Sequence, residues 1–287
     1  MKKHLFTIVI LIIFLVGLSV LLYPVVSDFF IARSQARVVE SYHEFISQMD
    51  ESEIDALLEA AHAYNERLRY KPNRHVIYNP NHEEFSQADL AEYNSLLNVS
   101  HGGIMGALEI DFINVNLPIY HSTSDEVLQI GIGHFEGTSL PVGGEGTHAV
   151  ITGHRGLPSA TLLSNIDRME EGDIFVIRVL NRRLVYQVDQ IVVVEPHDFK
   201  DLEIFPDMDL VTLLTCHPYG INTHRLLVRG HRIGDESSVT ARRVILSQAS
   251  NVSSIIIIAA IVIPALAVIA IVRFCIYLKS SRKPPPP

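Results

Sequence analysis

Two uncharged apolar runs, one near each end of the chain, constrain everything between them. Leu5 to Leu22 reads LFTIVILIIFLVGLSVLL and Ile255 to Val272 reads IIIIAAIVIPALAVIAIV, eighteen residues apiece. At about 1.5 Å per residue each run gives roughly 27 Å of helix, close to the hydrocarbon thickness of a bilayer. Pro264 in the second run is compatible with a membrane helix. Lys2 and Lys3 precede the first run, and Arg273, Lys279, Arg282 and Lys283 follow the second. Flanking cations stay on the cytoplasmic side, so the pattern predicts two membrane spans, both termini in the cytoplasm and the middle of the chain outside. A cleavable signal peptide is the alternative for the first run, with small residues near Ser34 and Ala36 as a weak cleavage site. The middle is exported in either case.

Charge follows the same division. All 32 acidic residues lie between Asp28 and Glu236, and six of the 23 basic ones are those at the ends, so the middle carries −15 and the ends +6. A middle this acidic argues against a nucleic-acid binder, whose affinity would need a basic face. At 287 residues and 48% hydrophobic composition the chain is neither a disulfide-stapled mini-protein nor mainly disordered.

The expected organisation is a membrane helix over residues 1–27, a helical region with a lid over 28–102, a β-domain over 103–234, a linker over 235–253, a second membrane helix over 254–275 and a cytoplasmic tail over 276–287. Val38, Tyr42, Phe45, Ile46, Met49, Ile54, Leu57, Leu58 and Ala61 recur at helical spacing and predict one or two amphipathic helices, the second capped by Asp50 or Ser52. Residues 70–101 read as a long irregular segment with a helical patch around Leu90 to Leu97. Short apolar runs then predict strands over Ile104 to Ile110, Val115 to Tyr120, Val127 to Ile130, His148 to Thr152, Asp173 to Leu180, Leu184 to Glu195, Leu210 to Cys216 and Arg225 to Ile233. Eight short strands suggest a barrel or a sandwich. A hairpin turn is expected at Leu180 to Leu184, with Asn181 supplying left-handed backbone, and one helix over Ala160 to Met169.

The chain has two cysteines, and Cys275 lies at the cytoplasmic edge of the second run, which leaves Cys216 alone outside. An exported domain held by disulfides would show pairs. A lone exported thiol is either an inert buried residue or a nucleophile. Cys216 ends an apolar strand and is followed by His-Pro-Tyr-Gly, so it should sit where the chain leaves the sheet. His154, in TGHRG, follows the strand that ends at Thr152. Arg225 opens a strand nine residues after Cys216, and if the two strands are neighbours it returns beside the thiol.

Each type suits one task in acyl transfer. A thiolate favoured by a neighbouring cation attacks a carbonyl. A histidine exchanges a proton with the leaving and incoming amines. An arginine supplies fixed donors to a developing oxyanion. Spacing leaves Arg229 and Arg232 open beside Arg225. His101, His121, His134, His148, His197, His217, His224 and His231 are read as structural or supporting. No CxxC partner accompanies Cys216 and no phosphate-binding glycine loop occurs, so neither a metal nor a cofactor is expected.

These residues carry a family resemblance. LPIYHSTS (Leu117 to Ser124), GTSLPVGGEGTHAVITGHRGLPSATL (Gly137 to Leu162) and TCHPYGINTHRLLVRGHR (Thr215 to Arg232) resemble sortases, the cysteine transpeptidases of Gram-positive cell surfaces, and within them the class C, pilus-polymerising branch. The resemblance implies a closed eight-stranded barrel and a Cys216, His154 and Arg225 site, with Arg225 selected as the Arg of the HR pair. It also implies an LPXTG-type sorting signal as acyl donor, cleaved between Thr and Gly, and a pilin Lys as acceptor. His217 departs from the Thr usual after the nucleophile. The family's lid carries Asp-Pro-aromatic; Tyr78, Asn79, Pro80 and Phe85 are the nearest match. Competing expectations are a sortase that joins proteins to a wall-precursor amine, and a membrane-held pilus accessory protein with an inert thiol. A papain-like protease lacks an evident orienting Asn or Asp.

Overall fold

The computed structural model describes residues 2–70, 87–99, 102–234 and 273. The second apolar run, Cys275, the 235–253 linker, His101 and the lid residues Tyr78, Asn79, Pro80 and Phe85 lie outside the described residues. The chain divides into two units, Asp28–Ile245 and Met1–Ser27 with Leu246–Pro287. Helix α1 (Lys2–Ser47) includes a window of mean hydropathy 2.2 with none of it buried, long and apolar enough to cross a membrane.

Helix α2 (Glu51–Tyr70) starts where Asp50 was expected to cap it, and the Asp50 carbonyl accepts the amides of Glu53 and Ile54. Glu51 and Glu53 in its first turn and Arg67 and Arg69 in its last complement the helix dipole. One face buries Ile54, Leu58, Ala61, Tyr64 and Asn65. Asn65 docks it on the barrel: Nδ2 donates to the Leu140 carbonyl at 3.0 Å and Oδ1 accepts the Leu140 amide at 2.7 Å. Helix α3 (Gln87–Ser95) matches the expected patch and inserts the buried Tyr93.

Eight strands form a closed barrel: β1 (Ile104–Ile110), β2 (Val115–Tyr120), β3 (Ile132–His134), β4 (Thr147–Thr152), β5 (Ile174–Val179), β6 (Arg182–Val194), β7 (Asp209–His217) and β8 (His224–Gly234). Their order around the ring is β1-β2-β3-β4-β7-β8-β6-β5. The β2/β3 and β4/β7 pairs are parallel and the others antiparallel. Every residue of β4 is buried, and so is β7 from Leu210 to Thr215. Both strands are covered on both faces, and polar residues buried in them, His148, Thr152, Thr212 and Thr215, are hydrogen-bonded. Ile151 and Leu213 face the main core, while Val150 and Leu214 join Phe135, Leu202 and Leu227 in a second cluster. Burial ends at Thr215, so the last two residues of β7 emerge at the mouth of the barrel.

Three local expectations are corrected. Val127 to Ile130 is not a strand but part of helix α4 (Asp125–Ile130); the Ser124 hydroxyl accepts the Val127 amide, and Asp125 and Glu126 fill the first turn. The third strand lies just beyond, at Ile132–His134. Ala160 to Met169 is not one helix but a series of turns with a single 3-10 turn at Ile166–Arg168. Leu162 there has φ 40°, which interrupts an α-helix, and Asp28 Oδ1 takes the Thr161 amide at 2.6 Å. In the β5/β6 turn the left-handed residue is Leu180, with φ 50°, not Asn181. Its amide donates to the Tyr42 hydroxyl at 2.8 Å and its side chain is buried, so tertiary contacts outweigh the intrinsic preference.

Candidate active site

The ladder between β7 and β8 places Cys216 directly opposite Arg225, and His217 opposite His224. Side chains of directly opposed residues project from the same face, so thiol and guanidinium share one side of the hairpin. On the other flank, β4 runs parallel to β7 with Thr152 beside Leu214. That register continues past the strand: the Gly153 amide donates to the Leu214 carbonyl at 3.3 Å, and the Thr215 hydroxyl donates to the Gly153 carbonyl at 2.8 Å. His154 is the next residue, level with Cys216. The three expected side chains thus come from three consecutive strands of the ring at one mouth. All three are half-buried.

The glycines flanking His154 act differently. Gly156, at φ 79°, takes backbone that an L side chain resists. Gly153 is there for space, because a Cβ on it would lie 2.7 Å from Ile132 Cγ2 and 3.0 Å from Leu163 Cγ.

The three arginines differ in their partners. Arg229 is bound bidentately by Asp189, Nε and Nη2 at 3.0 and 3.1 Å from the two carboxylate oxygens. Arg232 reaches Asp209 at 3.4 Å. Arg225 Nη1 donates to the carbonyls of Asn222 and His224 at 3.3 and 3.0 Å, and among the described residues it meets no carboxylate. Its charge is therefore the one available to a bound carbonyl.

Two buried histidines are structural, as expected. His134 meets the Tyr93 hydroxyl at 3.0 Å and the Ser139 carbonyl at 2.8 Å, and burial pushes its pKa down to about 4. His148 lies between the Glu203 carbonyl at 2.8 Å and the Thr212 hydroxyl at 2.7 Å, and burial pushes it down to about 4 as well. Both imidazoles spend their two nitrogens on the fold.

Sequence reasoning missed Arg155. Its side chain is 5% exposed, and its three nitrogens reach the Ser164 carbonyl at 3.3 Å, Asp167 Oδ2 at 2.5 Å and His217 Nδ1 at 3.0 Å. The guanidinium also lies 5.8 Å from the centre of the Tyr219 ring. The only signal available was its place beside His154, because the turns that bring Asp167 and Ser164 to it read as a helix.

A half-buried thiol with a guanidinium opposite and an imidazole just past the end of the neighbouring strand is suited to acyl transfer. The Sortase domain family matches residues 108–233. Sortase C1 of Streptococcus agalactiae is 42% identical with a TM-score of 0.65, the match covering 70% of this chain and 100% of that one. Sortase C of Streptococcus pneumoniae is 47% identical with a TM-score of 0.61, covering 69% of this chain and 97% of that one. Sortase D of Bacillus subtilis (strain 168) is 25% identical over 151 residues, 52% of this chain and 73% of that protein. A closed barrel with this mouth, matched over the whole length of a solved sortase C1, leads to one assignment: the chain belongs to the sortase family of cysteine transpeptidases, in its class C branch.

Proposed function

We propose that Cys216, His154 and Arg225 catalyse transpeptidation at an LPXTG-type sorting signal and that the acceptor is the side-chain amine of a pilin lysine. The Cys216 thiolate attacks the Thr carbonyl carbon, with Arg225 stabilising the oxyanion that develops. His154 protonates the departing Gly amine as the C–N bond breaks, leaving a thioester on Cys216. The lysine Nζ then gives its proton to His154 and attacks the thioester carbon. The C–S bond breaks, an isopeptide bond forms and the thiolate returns.

The observation that carries this reading is the opposition of Cys216 and Arg225 on β7 and β8, with His154 level with them two residues past the end of β4. Pilin as substrate is supported by the Streptococcus pneumoniae relative, which is described in terms of catalysis and pilin substrate specificity. Leu5–Leu22 and Ile255–Val272 anchor the enzyme, with the catalytic domain outside and both termini cytoplasmic, on the strength of their apolar composition and flanking cations. Residues 28–102 form the helical region and lid, 103–234 the catalytic barrel and 235–253 the linker to the second anchor. The family resemblance assigns the lid to Tyr78, Asn79, Pro80 and Phe85, and their deletion should raise the alkylation rate of Cys216; an unchanged rate removes the lid from the proposal.

The test is incubation of the full-length protein in detergent with an LPXTG peptide, followed by intact mass measurement. A peptide-minus-Gly adduct on Cys216, absent from Cys216→Ala, is expected; an adduct that survives this substitution overturns the reading. Addition of purified pilin should then give a high-mass ladder. Adduct without ladder would transfer the acceptor role to a wall-precursor amine.

A further inference from the structure

The β4/β7 ladder ends at Thr152 and Leu214, two residues short of the level of His154 and Cys216, yet the segments beyond it remain tied. On one side the Thr215 hydroxyl holds the Gly153 carbonyl at 2.8 Å. On the other, Arg155 Nη1 holds His217 Nδ1 at 3.0 Å. One step further, a Cβ on Gly156 would lie 3.5 Å from both the Gly220 amide and the Tyr219 ring. The β4/β7 register is thus carried outward by side chains, and the 154/216 level is bracketed by links at 153/215 and 155/217.

The outer link is directional. A guanidinium has donors only, so His217 Nδ1 must be the acceptor in this bond, and the imidazole making it is neutral with its proton on Nε2. Arg155 is itself immobilised, by Asp167 Oδ2 at 2.5 Å and the Ser164 carbonyl at 3.3 Å. Ser164 also receives the Gly156 amide on its hydroxyl at 3.1 Å. With Asp167 40% exposed, an ion pair of this kind adds little net stability, because solvent screens much of the attraction. What it supplies is geometry.

We infer that Arg155 is a positioning residue of the transpeptidase, acting through His217 to hold the segment that follows Cys216 against the segment that carries His154. This rests on the reading of Cys216 and His154 as the reacting pair. In Arg155→Ala the strands β4 and β7 persist, held by their own ladder. The outer segments separate, and the alignment of imidazole and sulfur relaxes.

The test compares Arg155→Ala, His217→Ala, the double variant and His217→Asn as full-length proteins, using the rate of thioacyl formation with an LPXTG peptide. Asn places a carbonyl acceptor near the position of His Nδ1. Misalignment of about 1 Å lowers kcat by roughly ten- to a hundredfold. Arg155→Ala and His217→Ala should each show a loss in that range with KM changed less than about twofold, and the double variant should be no worse than the poorer single one. His217→Asn should recover most of the rate. Retention of kcat in Arg155→Ala, multiplication of the two losses, or a His217→Asn no better than His217→Ala overturns the inference. If Arg155→Ala gives no cooperative melting transition, the comparison of His217→Ala with His217→Asn decides on the same criterion. A wild-type protein that forms no adduct, or an adduct surviving Cys216→Ala, removes the parent reading; a normal wild-type adduct with wild-type rates in every variant removes this inference alone.

Discussion

Arg225 and Arg229 lie four residues apart on one strand, and only Arg229 is claimed by an acid: Asp189 binds it bidentately, whereas Arg225 is held by two main-chain carbonyls. The alternation of a strand puts both on the same face, so position alone does not separate them. Their partners do, and they predict opposite phenotypes.

Arg225→Ala should lower kcat for thioacyl formation by about 10²- to 10³-fold, the scale for losing an oxyanion donor. Arg229→Ala should leave the rate of the folded enzyme within a few-fold. It should cost roughly 1–3 kcal/mol of stability, because Asp189, 20% exposed, loses its paired donors. Peptide kinetics alongside urea denaturation separate the two.

The buried imidazoles predict an acid-sensitive fold. His134 and His148 stay neutral in the native state down to about pH 4, whereas an unfolded histidine takes up a proton near pH 6.5. Below pH 6.5 the unfolded state therefore binds protons that the native state does not. Stability should be flat above about pH 7 and fall as pH drops from about 6.5 towards 4, by up to roughly 3 kcal/mol for each histidine. Denaturation midpoints at a series of pH values measure the slope, and His148→Gln should remove its share.

The two glycines beside His154 should differ on substitution. Gly156→Ala meets ordinary contacts and pays only for left-handed backbone, about 1–2 kcal/mol. Gly153→Ala forces a methyl to 2.7 Å from Ile132 and 3.0 Å from Leu163. Overpacking of that kind costs about 1–3 kcal/mol and shifts the turn that carries His154. Gly153→Ala should therefore lose more activity per unit of stability lost, as thermal melting and thioacylation rates together will show.

Asn65 adds a paired hydrogen bond to the apolar docking of α2. Asn65→Ala leaves the buried Leu140 amide without its acceptor while the Leu140 carbonyl keeps the Val142 amide, and should cost about 1–3 kcal/mol at the one unsatisfied group. Asn65→Asp should also destabilise, since it has no donor for the Leu140 carbonyl. Chemical denaturation of both variants checks the pair.

The strands were legible where apolar runs were long: β1 and β2 match their expected bounds, and the others except β3 shift by a residue or two. β3 was misplaced because it is only three residues long, too short for a period, while the neighbouring VLQI looked β-like and is wound into α4 by the Ser124 cap. Cys216, His154 and Arg225 were legible because each adjoins a turn marked by Gly, Pro or Asn. Arg155 was not. Its partners are 9, 12 and 62 residues away, and the turns joining them follow from the left-handed backbone at Leu162 and the hydrogen bond to Asp28, neither of which leaves a periodic trace.

The parallel pairing of β4 with β7 has a kinetic corollary. Between Thr152 and Asp209 the chain builds an entire β5/β6 hairpin on the far side of the ring, so no local turn can bring imidazole to sulfur. Closing so long a loop is entropically costly and slow compared with forming hairpins. The nascent chain consequently carries its thiol in an unassisted form until the ring shuts, and chemistry begins only with the last strand in place.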